Sequence, residues 1–273
     1  MRNYLKDINI VGAVMCYQEI NQCRWSLDWL CDNCNKVVIL LDNFNKETED
    51  IINEYRDRFN NIVEVIYSND PVRVNKNNIQ GQIKKRFKIR QAHIRQQVID
   101  KIKELNKENK IDLIIWPDSD ETFIDEFPKY LVEFWNNRKE MYMMLGFIEP
   151  FDNFNTIMSQ NMAPHGRVFK YIDEINCFPW KGRTRYYPYF NMRAWKVRNV
   201  VLHMCHFTEE YRKKREFFDN KNFIYECRRV IWKLPKDVRK MTVEEISDYQ
   251  YGAHHAPPKY NPIDLDTYLK NNL

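Results

Sequence analysis

The sequence predicts an α/β protein built on a mostly parallel central sheet with helices on both faces. Three observations support this. Residues 37–41 and 113–116 are short, continuous apolar runs, and 8–16 and 62–67 are apolar apart from Asn9 and Glu64, the mark of strands in a covered sheet. The stretches between the first three runs, 21–31 and 47–59, place apolar residues at helical spacing. Strand, helix, strand, helix, strand is the order a parallel sheet requires, because each crossover needs a covering helix.

In order along the chain, the first strand ends in Tyr17-Gln18-Glu19, and the helix after it puts Leu27, Leu30 and Cys31 on one face. The second strand closes with Asp42-Asn43, and Ile51, Ile52, Tyr55 and Phe59 line the next helix. After the third strand, 69–81 is polar and reads as a loop. Residues 82–106 read as one long helix, basic at its start, with Ile89, Ala92, Ile94, Val98, Ile102 and Leu105 apolar. The 113–116 strand follows, then a helix over 128–136 with Pro128 in its first turn. Residues 141–148 form a strand that ends in Glu149-Pro150-Phe151-Asp152.

Beyond residue 150 the texture changes. Residues 153–195 are rich in aromatics and Arg, with prolines at 164, 179 and 188. Short antiparallel strands are expected at 167–172, 191–197 and 200–203. Thr208 is placed to cap a helix to about residue 220, Thr242-Val-Glu-Glu245 is a capping box, and the tail from Ala256 reads as extended. Residues 1–150 are the expected α/β core, and 151–273 a C-terminal region packed on the same domain.

Composition bounds the functional classes. The 273 residues are 44% hydrophobic and 30% charged, ordinary for a soluble globular chain. No apolar run approaches the roughly 18 residues of a membrane span, and no signal-peptide pattern opens the sequence. A cytoplasmic protein is expected. The seven cysteines are odd in number and lie mostly in apolar segments, so they read as reduced core residues. The net charge of +5 suits phosphate-bearing ligands without demanding nucleic acid.

The chemistry concentrates after the fourth strand. Leu113-Ile-Ile-Trp116 runs through Pro117 into Asp118, Asp120 and Glu121. In open α/β sheets, ligands bind outside the carboxyl ends of the strands. Asp118 and Asp120 are two apart, so in an extended segment they point the same way and repel unless something positive intervenes. A hard divalent cation bridging to substrate phosphates satisfies them. The chain has no Gly-x-x-x-x-Gly-Lys-Ser/Thr and no Gly-x-Gly-x-x-Gly, which excludes P-loop and Rossmann-type dinucleotide readings.

Three stretches in order resemble the GT-A glycosyltransferases of the family 2-like group. These are the first strand ending in Cys16-Tyr17-Gln18-Glu19, the second strand running into Asp42-Asn43 and Glu47-Thr48, and Trp116-Pro-Asp-Ser-Asp-Glu121, which resembles the family's Asp-x-Asp segment. His203 and the charged stretch after it resemble the family's C-terminal end. Gln18 and Pro117 depart from the pattern without removing a ligand. The resemblance implies a nucleotide-diphosphate sugar donor held by Mn2+ or Mg2+. Tyr17, Glu19 and Asp42 would contact the nucleotide. Asp118 would face ribose or metal, and Asp120 would be the direct metal ligand.

His203 is the expected further metal ligand, with His206 the alternative. An inverting transfer needs a carboxylate to take the acceptor proton, and Asp152, Glu149 and Glu121 are the candidates. Arg86, Arg90 and His93 share a helix face, and Arg90 is assigned to the donor. The segment 178–198 interleaves basic and aromatic residues. Trp180, Arg183, Arg185, Tyr187 and Trp195 are the expected contacts to an acceptor glycan or nucleic acid, because aromatic faces stack on sugars and bases. The competing reading is a metal-dependent nucleic-acid-binding protein or nuclease using the Asp118/Asp120 cluster. A nucleotidyltransferase would carry a Gly-rich loop after the first strand, and Tyr17 to Cys23 has no Gly.

Overall fold

The computed structural model describes residues 5–17, 21–42, 44–68, 82–158, 164–180, 183–204, 207, 230–247 and 263–264. The side chains of 82–89, 179–180, 183–185, 190, 230–231 and 263–264 lie outside that description. In chain order the elements are β1 (Ile10–Cys16), α1 (Gln22–Asn33), β2 (Lys36–Asp42), α2 (Lys46–Arg58), β3 (Ile62–Ser68), α3 (Gln82–Glu108), β4 (Leu113–Ile115), β5 (Glu121–Phe123) and α4 (Phe127–Asn137). There follow β6 (Tyr142–Phe151), β7 (Asn153–Met158), β8 (His165–Lys170), β9 (Asn176–Trp180), β10 (Arg183–Tyr187), β11 (Ala194–His203), β12 (Val230–Lys233) and β13 (Ile263–Asp264). The chain forms two compact units. One comprises Met1–Ser119, Leu131–Met143 and Arg167–Trp195; the other comprises Asp120–Tyr130, Met144–Gly166 and Lys196–Leu273. The division does not fall at residue 150.

The first unit carries the mostly parallel sheet with its covering helices. Its strands run in the order β8-β4-β1-β2-β3, with β4, β1, β2 and β3 mutually parallel and β8 antiparallel to β4. β1 is apolar throughout and β2 is apolar between Lys36 and Asp42, because helices cover both faces. On one face Val11, Ala13, Val38 and Leu40 pack against Ile94, Val98, Ile99 and Ile102 of α3. Burying each Val, Leu or Ile side chain of this set contributes about 1.5–3 kcal/mol. On the other face Gly12 lets α1 approach: a Cβ there would stand 2.9 Å from Leu30 Cδ2 and 3.0 Å from Cys34 Sγ. α2 starts where Asn45 Oδ1 accepts the Thr48 amide at 2.9 Å, with acids in its first turn and arginines in its last, as its dipole favours. The hairpin of β9 and β10 lies along α3, where Cys177 N donates to Gln96 Oε1 at 2.7 Å.

In the second unit β6 and β7 form an antiparallel hairpin, β12 adds to β7 and β13 to β12. β11 pairs antiparallel with β5, setting His203 opposite Glu121. The capping box forms as the sequence predicts: Glu245 N donates to Thr242 Oγ1 and Thr242 N to Glu245 Oε2.

Three expectations change. The strand expected at 141–148 continues through Phe151, so Glu149 lies inside β6, fully buried, and not in a loop beyond the strand end. The strands expected at 191–197 and 200–203 are one strand, β11. Its polar Arg198-Asn199 reads as a break, but Asn199 takes a left-handed backbone (φ 56°) that Asn tolerates, and the strand runs on. β5 was not expected, because a three-residue strand beginning with Glu121 has no hydrophobic pattern to mark it. The expected loop 69–81, the helix from Thr208 and the tail from Ala256, apart from 263–264, lie outside the described residues. Among the described residues no helix is long and apolar enough to cross a membrane.

Candidate active site

The first unit gathers polar residues at the carboxyl ends of three adjacent parallel strands. Asp118 follows β4, Tyr17 follows β1 and Asp42 closes β2. Trp116 N still donates to the Arg167 carbonyl at 2.8 Å, so the chain leaves the sheet only at Pro117, whose nitrogen has no proton to pair. The turn is then fixed from α1: buried Ser26 Oγ lies 2.9 Å from the Asp118 carbonyl and 2.7 Å from that of Ser119.

The Asp118 carboxylate is held by two guanidinium groups. Arg167 donates to Oδ2 at 2.5 Å and Arg95 to Oδ1 at 3.3 Å. Arg95 also donates to Tyr186 Oη at 2.7 Å and lies 5.7 Å above the Trp116 ring. Burial opposes the Arg95 charge, but Tyr186 and Asp118 facing it outweigh that and raise its pKa. Burial pushes the Tyr186 hydroxyl up to about 12, against the pull of Arg95. At Asp118, then, two arginines supply the positive charge that adjacent carboxylates need.

Asp42 and Arg90, both assigned to the donor, are bonded to each other. The guanidinium grips both carboxylate oxygens, one at 2.7 Å and the other closer, and each side chain is 8% exposed. His93, expected on the same helix face, is exposed. Tyr17 is exposed, and its carbonyl accepts from Thr48 Oγ1 at 3.3 Å. Glu19 lies outside the described residues, as does His206.

The second unit brings together residues the sequence left scattered. His203, at the end of β11, has a carboxylate on each ring nitrogen. Nε2 lies 3.3 Å from Asp120 Oδ2 and Nδ1 lies 3.4 Å from Glu149 Oε1. All three are buried, Glu149 completely. The Asp120 carbonyl accepts from Met204 N at 2.8 Å, which locks its loop to the end of β11. The Phe147 ring lies 6.0 Å from the imidazole and edge-on to it. Glu121 is buried within β5. Asp152 forms the bend between β6 and β7, half-buried, with φ at 62°.

Of the expected acceptor residues, Tyr187 is exposed at the end of β10. Trp195 stacks on Phe134 and carries the Arg138 guanidinium 4.4 Å above its ring. Trp180 ends β9 and Arg183 and Arg185 lie on β10, with side chains outside the description. Sequence reasoning missed Arg95, Arg167 and Tyr186. Each sits in an ordinary amphipathic pattern, and only the packing of α3, β8 and β10 around Asp118 distinguishes them.

No protein-family model and no curated protein matches the chain. Solved structures do. S. aureus TarS is 14% identical over 72% of this chain with a TM-score of 0.43, and the match spans 37% of the TarS chain. S. aureus TarS 1-349 in complex with UDP is 12% identical over 89% of this chain and 78% of its own, with a TM-score of 0.43. Mannosyltransferase PcManGT from Pyrobaculum calidifontis, in complex with GDP-Man and Mn2+, is 12% identical over 54% of this chain and 40% of its own, with a TM-score of 0.33.

Proposed function

We propose that this chain is a metal-dependent glycosyltransferase that moves a sugar from a nucleotide-diphosphate sugar to an acceptor hydroxyl. The observation that supports it best is the buried pair of Asp120, the direct metal ligand that the resemblance implies, and His203, the expected further ligand. Their donor atoms are 3.3 Å apart. Adjacent ligands of an octahedral ion at about 2.1 Å stand about 3 Å apart, so the pair fits a divalent cation. Among the described residues no group of three or more His, Cys, Asp and Glu is arranged to hold a metal. Two protein donors are what magnesium commonly takes, with substrate phosphates and water completing the shell. Such an ion, when bound, neutralises the charge that develops on the departing nucleoside diphosphate.

In this reading Tyr17, Asp42 with its partner Arg90, and Asp118 serve the nucleotide, from the strand ends where α/β sheets hold ligands. The acceptor hydroxyl oxygen bonds to the anomeric carbon while the bond from that carbon to the diphosphate oxygen breaks. The electron pair leaves with the nucleoside diphosphate, and a carboxylate takes the hydroxyl proton. Asp152 suits that task best. Glu149 and Glu121 are buried inside strands, whereas Asp152 sits at a bend in a left-handed backbone, the kind of outlier that concentrates at functional sites. Trp180, Arg183, Arg185, Tyr187 and Trp195 are the proposed acceptor contacts, suited to a glycan or a nucleic acid. The buried cysteines Cys16, Cys23, Cys31 and Cys34 fit a reducing compartment such as the cytoplasm.

The test is a thermal-shift panel of nucleoside diphosphates and nucleotide sugars, with and without Mn2+, on the wild type and Asp120→Ala. A ligand at about a hundred times its Kd stabilises the folded state by about 2.7 kcal/mol. A Mn2+-dependent shift with one nucleotide, lost in Asp120→Ala, is expected. No shift with any nucleotide would refute the reading and direct attention to salt-dependent nucleic-acid binding.

A further inference from the structure

We infer that Glu149 is a positioning residue that holds the His203 imidazole for the cation, and not the base that takes the acceptor proton. The inference rests on the reading above. Glu149 is 0% exposed and lies within β6, so an acceptor hydroxyl has no route to it. What it does meet is His203, at 3.4 Å from Nδ1. A carboxylate at Nδ1 holds a proton there, so Nε2, 3.3 Å from Asp120 Oδ2, is the nitrogen that would give up its own proton and turn its lone pair to a cation shared with Asp120. This is the arrangement by which metal-binding histidines are oriented and made more basic. The surroundings of His203 support the same role. Its backbone is set opposite Glu121 in the β5–β11 ladder, the next residue, Met204, is tied to the Asp120 carbonyl, and Phe147 lies against the ring. Backbone pairing fixes where the imidazole starts, and Glu149 fixes which way its nitrogens face.

The experiment is a Mn2+ titration of the full chain followed by electron paramagnetic resonance, without donor or acceptor, on the wild type and on Asp120→Ala, Glu149→Ala and Glu149→Gln. The wild type is expected to bind Mn2+ and Asp120→Ala to lose it. Glu149→Ala is expected to weaken binding 10–100-fold. Glu149→Gln should recover part of that, because its amide oxygen still accepts from Nδ1. The second readout, the ring 15N signals of His203 in the metal-free wild type, should show a proton on Nδ1. Wild-type affinity in both Glu149 variants, or a bare Nδ1, overturns this inference while leaving Asp120 as a ligand. Absence of Mn2+ binding by the wild type overturns the metal-dependent reading itself. If Glu149→Ala does not fold, Glu149→Gln and the 15N signals decide.

Discussion

The Asp42–Arg90 pair gives the sharpest test of how this core is held together. Each side chain is 8% exposed and the guanidinium engages both carboxylate oxygens, so water screens the pair little. Removing one partner takes away the opposite charge that the other faces where β2 and α3 meet. For a buried pair that costs about 3–5 kcal/mol, whereas replacing both partners by apolar groups of similar size is often neutral or stabilising. Arg90→Met and Asp42→Leu should therefore each lower stability by several kcal/mol, and the double variant should be far more stable than their sum. The interaction energy should reach or exceed the upper part of the 0.5–3 kcal/mol typical of coupled neighbours. Urea unfolding followed by circular dichroism measures all four corners of the cycle without any ligand. Single costs below about 1 kcal/mol that simply add would refute the reasoning: the pair would then be open to water.

Three further outcomes follow from particular contacts. Gly12→Ala should cost about 1–3 kcal/mol, because its Cβ would meet Leu30 Cδ2 at 2.9 Å and Cys34 Sγ at 3.0 Å; the cost should shrink when Leu30→Ala is present, as a denaturation cycle would show. Asn45→Ala should cost about 0.5–2 kcal/mol in the same assay through loss of the α2 cap. Burial pushes the Tyr186 and Tyr171 hydroxyls from 10 up to about 12. In that window the folded chain keeps protons the unfolded chain has released, so stability is full below pH 10 and falls as pH rises toward 12. Urea midpoints across that range should show the fall, and Tyr186→Phe should reduce it.

Chain order and hydrophobic period made the first unit legible. β1, β2 and β4 are runs that a doubly covered strand would carry, and α2 and α3 show their buried faces at helical spacing. The acidic turn after β4 was legible for the same reason: a strand of Leu-Ile-Ile that ends against Asp118 and Asp120 marks itself. The base candidates were less so. Glu149 looked like a loop carboxylate because Pro150 interrupts the apolar pattern, yet β6 runs through it and seals it.

By itself, then, the sequence determined the α/β class, the alternation of strand and helix, and the segment that holds Asp118 and Asp120. Each of these follows from local periodicity, which is written residue by residue. Only the tertiary structure decided the partners. Arg95 and Arg167 reach Asp118 from 23 and 49 residues away, Arg90 reaches Asp42 from 48, and Glu149 reaches His203 from 54. Charge pairing acts through space and leaves no period in the chain, so which carboxylate meets which cation becomes visible only once helices and strands have packed.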